Sequence, residues 1–195
     1  MLKLGRNRGK GGAVKRGVVF ARGDYVLMAD ADGATEISDL DKLFAQLKQI
    51  EQPSEMLGGV VGMTVGSRAH LEKNSVVSRA YYRTVLMRGF HTLVTLLCTD
   101  KIRDTQCGFK LFTKHTSSLL FTNLHLFRWA FDIELIFLAE GLGIPVFEVA
   151  VQWHEVAGSK LIQTKLDIVK TSIEMARDML CMRIAYMTGI WRMAS

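Results

Sequence analysis

Two carboxylates stand one residue apart in the stretch LMADADGATEI, Leu27 to Ile37, directly after a run of apolar residues. Side chains alternate across an extended strand, so Asp30 and Asp32 point the same way and can converge on one cation or one sugar nucleotide. Gly33 lets the backbone turn sharply after them. An Asp-Gly turn with a solvated acidic rim is an equally good interpretation of this motif alone. A calcium loop is excluded, because an EF-hand loop has glycine at its sixth position and here glycine comes fourth.

A second motif, RNRGKGGAVKRG, spans Arg6 to Gly17 and places glycines ahead of a predicted helix. Backbone N–H groups at such a helix start can bind phosphate, and Lys10 can add a point charge. The motif is not a Walker A loop, because it lacks G-K-[ST], and Val14 breaks a G-x-G-x-x-G fingerprint. A basic loop that caps a helix explains these residues about as well.

The densest set of polar residues among apolar neighbours is IRDTQCGFKLF, Ile102 to Phe112. Polar groups in such surroundings need either mutual pairing or a ligand. The candidates here are Arg103, Asp104, Gln106 and Lys110. An internal Arg–Asp salt bridge is the simplest alternative to a ligand site.

Two later motifs also carry charged residues beside apolar runs. WAFDIEL places Asp132 and Glu134 at the start of an apolar helix, where the helix dipole by itself favours carboxylates. WHEVAGSKL follows a predicted strand and carries Ser159 and Lys160 in a loop that either folds over an anionic ligand or only connects two elements.

The elements that must position these residues alternate between strand and helix. Strands are predicted at residues 25–29, 58–65 and 144–151, with a short segment at 108–112. Helices are predicted at residues 13–22, from an N-cap at Ser38, at 75–98, at 130–140 and in the C-terminal region. This order predicts an α/β fold with a largely parallel sheet. Ligands of such sheets bind beyond the carboxyl ends of the strands, which is where Asp30 and Asp32 fall.

Composition narrows the functional classes. The 195 residues are about half apolar, enough for an ordinary core, and the formal charge of +6 implies an anionic partner. Three cysteines without a C-x-x-C pair encode neither a disulfide framework nor a cysteine zinc site, so a reducing compartment is expected. No stretch is apolar for the roughly 18 to 20 residues of a transmembrane helix.

Seven motifs, taken in order and at their separations, resemble the dolichyl-phosphate β-glucosyltransferases, which are family 2 glycosyltransferases with a GT-A fold. They are GKGGAV, LMADADGAT, GSRAHLE, YYRT, RDTQCGFKLF, RWAFDIEL and GSKL. The resemblance covers nearly the whole chain. GSRAHLE and RDTQCGFKLF together distinguish this family from the related dolichyl-phosphate mannose synthases.

The resemblance implies transfer of glucose from UDP-glucose to dolichyl phosphate, with inversion at the anomeric carbon, on the cytosolic face of the endoplasmic reticulum membrane. The family's D-x-D motif falls on Asp30 and Asp32. A Mg²⁺ or Mn²⁺ ion held by Asp32, with Asp30 at the nucleotide sugar, would stabilise the charge that develops on the leaving diphosphate.

The remaining residues receive roles that follow from this chemistry. Asp104 is the first choice for a carboxylate near the reaction centre, and Asp132 and Glu134 are second choices. The acceptor is a phosphate monoester that is largely ionised near neutral pH, so a strong general base is dispensable. Substrate binding is expected from Lys10, Asp30, Arg68, Arg103, Gln106, Lys110, Ser159 and Lys160.

Two surfaces are candidates for contact with the lipid. Residues 79–98 combine arginines with an apolar stretch that is too short to span a bilayer but suits an interfacial helix. A second apolar stripe follows the C-terminal helix, at Leu166, Val169, Ile173, Ala176, Leu180, Ile184 and Met187. Such a stripe more often packs into a core than onto a membrane. We therefore expect core packing, with membrane contact as the alternative.

The predicted organisation is a partial GT-A catalytic domain at residues 1–155, followed by an acceptor loop and amphipathic helix at 156–195. The family begins with a membrane anchor and strands that hold the uracil, and residues 1–8 do not correspond to them. We therefore expect this polypeptide to keep the catalytic motifs and to be inactive or poorly folded alone.

Two rival functions remain at the level of sequence. One is a noncatalytic module in which the cluster Lys3, Arg6, Arg8, Lys10, Lys15 and Arg16 binds RNA or a membrane. No RNP, KH or zinc-knuckle pattern accompanies that cluster, so no nucleic-acid partner is expected. The other is transfer of a different sugar to a polyprenyl phosphate.

Overall fold

The computed structural model describes residues 2–71, 89, 91–154 and 165–194. Its strands are β1 (Tyr25–Met28), β2 (Gln52–Ser54), β3 (Gly59–Val61), β4 (Met63–Ser67), β5 (Lys110–Thr113) and β6 (Val146–Ala150). Its named helices are α1 (Gly9–Val19), α2 (Leu40–Ile50), α3 (Lys114–Asn123), α4 (Phe131–Gly141) and α5 (Lys165–Met187). Residues 91–97 are also helical, and a short 3₁₀ turn precedes α2 at Ile37–Asp39.

The main sheet has the strand order β1-β5-β4-β6, and β2 pairs with β3 in a separate hairpin. Strand β5 is antiparallel to both of its neighbours, whereas β4 and β6 are parallel. Strands β1, β4 and β6 therefore run in one direction and β5 runs in the other. This confirms the predicted α/β class and the mostly parallel strand direction, with one reversed strand in the interior of the sheet.

Helices cover both faces of this sheet because successive residues of its inner strands are buried, so that both faces carry apolar side chains. On β5, Leu111 packs with α2 residues Leu43 and Leu47 on one face. Its neighbour Phe112 packs on the opposite face with Leu120 of α3 and Leu135 of α4. Helix α4 is buried from Phe131 to Ala139, which explains why its sequence is apolar on all sides. The core is thus a helix–sheet–helix sandwich that holds the strand ends rigidly.

Several element boundaries differ from the sequence predictions. Helix α1 begins at Gly9 rather than at residue 13, and the expected N-cap at Ser38 is wrong because a 3₁₀ turn precedes α2 there. The strand predicted at 58–65 is divided at Gly62, whose N–H donates to Thr116 Oγ1. The β2–β3 hairpin and α3 were not predicted. Helix α3 directly follows β5, and the Thr113 hydroxyl caps it by accepting from Thr116 N.

The expectation that the C-terminal apolar stripe forms core is wrong for the described side chains. Exposed apolar residues of α5 line one face, with Ile173 and Met187 exposed by 64% and 74%; the others are Val169, Leu180 and Ile184. The buried side instead carries methionines, Met175, Met179 and Met182. Met175 and Met179 pack against Val94 and Ile133. The helix has two apolar stripes, and the core selects the one formed by the flexible methionines.

Candidate active site

Most of the charged residues singled out above meet at one edge of the sheet. Asp30 and Asp32 follow the carboxyl end of β1, and Arg68 follows the carboxyl end of β4. Lys110 is the first residue of β5, and because β5 is antiparallel it lies opposite Met28 at the same edge. The reversed strand therefore brings its starting residue to the place where the parallel strands end.

Lys110 and Asp132 form an ion pair inside the protein. Lys110 Nζ lies 2.6 Å from Asp132 Oδ1 and also donates to Cys107 O at 2.5 Å. The two side chains are 0% and 4% exposed. Burial raises the pKa of Asp132, against the opposing attraction of Lys110 and Lys10. The pair fixes the start of α4 against the start of β5.

Arg68 and Asp104 form a second, two-pronged pair nearer the surface. Arg68 Nε donates to Asp104 Oδ2 at 2.7 Å and Arg68 Nη2 donates to Oδ1 at 2.8 Å, while the Arg68 backbone N–H donates to Oδ2 at 2.9 Å. Burial by itself would raise the pKa of Asp104, but the hydrogen bonds and charge of Arg68 outweigh it and lower that pKa. Asp104 is therefore ionised at neutral pH. Its hydrogen bonds with Arg68 raise the pKa of the guanidinium in turn.

Lys10 and Asp30 form the third pair, with 2.8 Å between Nζ and Oδ1, and it is the most exposed of the three. Gly108 makes the position of Asp30 possible, since a Cβ on Gly108 would lie 2.1 Å from Asp30 Oδ2. Lys10 reaches the site because α1 packs closely on the start of α4, where a Cβ on Gly11 would lie 2.7 Å from the Phe131 side chain. The glycines thus allow close helix packing.

These glycines do not leave the whole first turn of α1 available for phosphate. Gly9 N donates to Asn7 Oδ1 at 2.8 Å, and Gly12 N donates to Phe127 O at 3.1 Å. The contribution of this motif to the ion-pair cluster is the Lys10 side chain.

Asp32 is exposed and shapes its own loop, because its Oδ1 accepts a hydrogen bond from Ala34 N at 3.0 Å. The next residues pair with the segment after β6: Glu36 N donates to Gln152 O and His154 N donates to Ala34 O. Buried Asp39 also accepts from Gln152 N at 2.5 Å. The carboxylate loop is therefore held on both sides, by β1 and by residues 152–154.

The three ion pairs act on one another electrostatically. Asp132 is influenced by Lys10 and Asp30 as well as by its partner, and Arg68 is influenced by Asp30 as well as by Asp104. Six predicted site residues are thus gathered into one cluster of alternating charge, Lys10, Asp30, Arg68, Asp104, Lys110 and Asp132. Three cations and three carboxylates balance within it, so an added anion meets donors that are already held in place.

Other predicted residues lie elsewhere. Glu134 lies on α4 but makes its contacts away from this cluster. Its carboxylate accepts hydrogen bonds from His125 N, from Leu126 N at 2.6 Å and from Tyr186 Oη at 3.0 Å. Burial raises its pKa, although these hydrogen bonds act in the opposite direction. The contacts of Glu134 give it a structural role, and nothing in them supports the catalytic role suggested above.

Arg103 is exposed, and Gln106 Nε2 lies 3.6 Å from Met175 Sδ of α5. Ser159 and Lys160 lie outside the described residues, as do the YYRT and GSKL motifs. Their predicted roles in substrate binding stay predictions.

Sequence reasoning missed three residues that hold the site, namely Asp39, Glu148 and Trp153. Glu148 accepts from the backbone N–H groups of Arg103 and Asp104, and the Trp153 ring lies 5.6 Å from the Arg68 guanidinium. A charged residue within the apolar strand sequence VFEVAV was the available signal for Glu148. No local pattern marks the pairing of Trp153 with a residue 85 positions earlier.

The two aspartates after β1 suit a hard divalent cation only if other ligands complete its shell. Within the described ranges, no group of three or more His, Cys, Asp or Glu side chains is arranged to hold a metal ion. Mg²⁺ and Mn²⁺ prefer oxygen ligands, and Mg²⁺ sites commonly use one or two carboxylates together with substrate phosphates and water. Asp30 and Asp32 fit a Mg²⁺ or Mn²⁺ site of this kind, in which two carboxylates are completed by substrate phosphates and water.

Comparison with known proteins agrees with this architecture. A family model described as "Glycosyl transferase family 2" matches residues 1–117. The chain is 49% identical over 193 residues to a dolichyl-phosphate beta-glucosyltransferase of Mus musculus, covering 99% of this chain and 57% of the relative. It is 50% identical over 195 residues to the protein of the same description from Drosophila melanogaster, covering 100% and 57%.

The human protein of that description is 47% identical over 194 residues, with 99% of this chain and 57% of the relative covered. The chain thus spans somewhat more than half the length of these curated relatives.

Proposed function

This chain belongs to glycosyl transferase family 2, and on that premise we propose that it transfers glucose from UDP-glucose to dolichyl phosphate, forming dolichyl β-D-glucosyl phosphate with inversion at the anomeric carbon. The observation that carries the proposal is the charged cluster at the strand ends, which includes Asp30, two residues before Asp32. The relatives of 47–50% identity that carry the glucosyltransferase description support the choice of substrates.

The leaving UDP gains negative charge as its bond to glucose breaks, so the site must supply positive charge there. Asp32, with Asp30, is proposed to hold a Mg²⁺ or Mn²⁺ ion, which when bound neutralises charge on the diphosphate. Lys10 lies within ion-pair distance of Asp30 and supplies a cation of the protein itself beside the same loop. The loop that carries Asp30 and Asp32 is held by β1 and by residues 152–154 before substrate arrives, so that only side-chain partners change when substrate binds.

Arg68 is the best placed residue to bind a phosphate. Its Nε and Nη2 are aligned by Asp104, and its Nη1 has no hydrogen-bond acceptor among the described residues. A guanidinium matches phosphate oxygens in two-pronged geometry, whereas the buried Lys110 is already bonded to Asp132 and Cys107. Arg68 is therefore assigned to a substrate phosphate, and Lys110 to holding Asp132.

Asp104 is assigned to orientation rather than to proton removal. Its carboxylate is engaged with Arg68, and the low pKa that results makes it a weak base. The acceptor needs no strong base, because a phosphate monoester has a second pKa of about 6 and is largely ionised near neutral pH. Correct alignment of this oxygen with the anomeric carbon is the larger contribution.

The lipid acceptor requires a surface that meets a membrane, and the exposed apolar face of α5 is assigned to it. That face carries Ile173, Leu180, Ile184 and Met187, with Lys170 and Arg177 also exposed on the helix. An exposed apolar stripe with cationic neighbours suits the bilayer interface. Among the described residues, no helix has both the length and the apolarity needed to cross a bilayer.

The proposed location is the cytosolic face of the endoplasmic reticulum membrane. Cys98, Cys107 and Cys181 are free thiols, in keeping with the reducing conditions of the cytosol.

The test is a transfer assay on the purified chain with radiolabelled UDP-glucose, Mn²⁺ and dolichyl phosphate in detergent, followed by extraction of lipid-linked label. Because the described residues bring six of the predicted site residues into one cluster, we now expect activity in place of the inactivity inferred from residues 1–8: label in the lipid fraction, and a loss of about a hundredfold or more in the double variant D30N/D32N. The matched control is D41N, which removes an exposed carboxylate from α2. Lack of lipid-linked label from the wild-type chain, or label from GDP-mannose in preference, would overturn the proposal.

A further inference from the structure

Glu148 is a carboxylate in the apolar strand β6, and it binds the backbone of a distant loop. Its Oε1 accepts from Asp104 N at 2.8 Å and its Oε2 accepts from Arg103 N at 3.2 Å. Two successive N–H groups are thus held by the two oxygens of one carboxylate. Hydrogen bonds to an ionised acceptor are stronger than neutral ones, so this contact fixes both the position and the orientation of the 103–104 peptide.

The same loop carries the Asp104 side chain that aligns Arg68. Glu148 lies opposite Val65 in the parallel β4–β6 pair, and Arg68 comes just after Ser67 at the end of β4. The ladder between the two strands therefore fixes the distance from Glu148 to the start of the Arg68 side chain. Glu148 is also linked to Arg68 through the 103–104 peptide, because it accepts from that backbone and the Asp104 side chain binds Arg68.

Arg68 is fixed by neighbours and keeps part of its guanidinium accessible. Asp104 holds Nε and Nη2, and the Trp153 ring lies 5.6 Å from the guanidinium carbon. The Arg68 side chain remains one third exposed. Its orientation depends on Asp104, whose own place depends on the backbone that Glu148 holds. Loss of the Glu148 contact would let the Asp104 loop shift and turn the guanidinium away from its present direction.

We propose that Glu148 is a positioning residue for the transferase reaction: it holds the 103–104 backbone so that Asp104 presents the Arg68 guanidinium to a substrate phosphate. This inference rests on the proposed function, since the phosphate is that of UDP-glucose or of dolichyl phosphate. It adds a residue that touches neither substrate. A purely structural Glu148 would instead affect stability and leave the Arg68 geometry unchanged.

The first arm of the test observes Arg68 directly and needs no turnover. In protein labelled with ¹⁵N-arginine, the Arg68 Nε–Hε resonance is assigned by its disappearance in R68K. In E148Q, which keeps the side-chain shape but replaces one acceptor oxygen by a donor, we expect this resonance to shift and its hydrogen to exchange with water faster. The control E55Q removes an exposed carboxylate from the β2–β3 turn and leaves the resonance unchanged.

The second arm measures transfer, with the apparent melting temperature recorded for each variant. We expect kcat/KM to fall by about tenfold or more in E148Q, consistent with loss of a hydrogen bond to a charged group, while E55Q matches the wild type. An unchanged Arg68 resonance in folded E148Q overturns the proposal, as does a loss of activity that only follows the loss of folded protein.

Amide exchange in the wild-type protein decides the matter if E148Q does not fold. The Asp104 and Arg103 amide hydrogens should be protected, because Glu148 accepts both, and rapid exchange of both overturns the proposal. If the wild-type protein transfers no glucose, the proposed function has failed, but the resonance and exchange measurements still show whether Glu148 positions Arg68.

Discussion

Asp132 and Glu134 stand two residues apart in the first turn of α4, yet they belong to two different regions of the protein. Asp132 pairs with a lysine side chain and joins the charged cluster at the strand ends. The Glu134 carboxylate accepts hydrogen bonds from two backbone N–H groups and a tyrosine hydroxyl. Both carboxylates are buried, and burial raises the pKa of each.

The difference lies in what surrounds each carboxylate. Around Glu134, α4 meets the 124–126 turn and the end of α5, and His125 is stacked on Trp191 with ring centroids 4.2 Å apart. That region is closed and joins three parts of the chain. Around Asp132, ion pairs become progressively more exposed, from Lys110–Asp132 through Arg68–Asp104 to Lys10–Asp30. Such a gradient suits a site for an anionic ligand, because the exposed Lys10–Asp30 pair can exchange partners while the buried Lys110–Asp132 pair stays in place.

The largest effect is expected when the inner ion pair is broken. K110M leaves Asp132 buried without its partner and should reduce the free energy of unfolding by about 3–5 kcal/mol, measured by urea denaturation. The double variant K110M/D132L removes both charges and should recover most of this loss. A K110M protein as stable as the wild type would show that the inner pair does not hold the site.

A somewhat smaller loss of unfolding free energy is expected when the contacts of Glu134 are removed. E134A removes the acceptor shared by His125 N, Leu126 N and Tyr186 Oη and should cost about 3 kcal/mol of unfolding free energy. E134Q retains one oxygen and should cost less. In both variants the folded protein should bind UDP-glucose as the wild type does, measured by calorimetry. Loss of nucleotide binding in stable E134Q would place Glu134 in the functional site after all.

The Arg68–Asp104 pair, which is intermediate in exposure, should contribute to the free energy of unfolding in a pH-dependent way. The folded-state pKa of Asp104 is below its unfolded value of about 3.9, so its pairing stabilises the protein fully above that pH. This stabilisation is lost as the pH falls through the lower folded-state pKa. D104N should therefore be less stable than the wild type by about 2 kcal/mol at pH 7, with the difference shrinking below pH 4. A difference that is constant from pH 7 to pH 2.5 would contradict the pairing.

The smallest effect on stability is expected when the exposed Lys10–Asp30 pair is broken. K10M breaks an ion pair that is open to solvent and should change the unfolding free energy by less than about 1 kcal/mol. Its affinity for UDP-glucose should nevertheless fall by about tenfold, equivalent to about 1.4 kcal/mol. K3M, which removes an exposed lysine near the start of the chain, is the matched control. Equal affinity in K10M and K3M would remove Lys10 from the site.

Local sequence patterns predicted the residues of the cluster but not their partners. The location of Asp30 and Asp32 was predictable, because both residues follow an apolar strand and ligands of open α/β sheets bind beyond the carboxyl ends of the strands. The pairing of Asp104 with Arg68 and of Asp132 with Lys110 depends on β5 running antiparallel, which no short pattern of KLFT reveals. The motif around Arg103 and Asp104 suggested an Arg–Asp pair, and the arginine that pairs with Asp104 is instead Arg68, which follows β4.

Periodicity was equally incomplete for α5. The apolar repeat from Val169 to Met187 was real, but a second repeat of methionines competed for the core. Volume and shape at the contact with Val94 and Ile133 decide such a competition, and these are properties of the assembled core. In contrast, α4 was predicted closely, because its residues from Phe131 to Ala139 are apolar on all sides of the helix except for Asp132 and Glu134, and such a pattern has few alternatives in an α/β core.

The most direct measurement is calorimetric titration of UDP-glucose into the wild-type chain and into D32N, each with Mn²⁺ and with EDTA. We predict that the wild type binds UDP-glucose in the presence of Mn²⁺ and not with EDTA, and that D32N shows no Mn²⁺-dependent binding. Equal affinity for UDP-glucose in all four titrations would contradict this prediction.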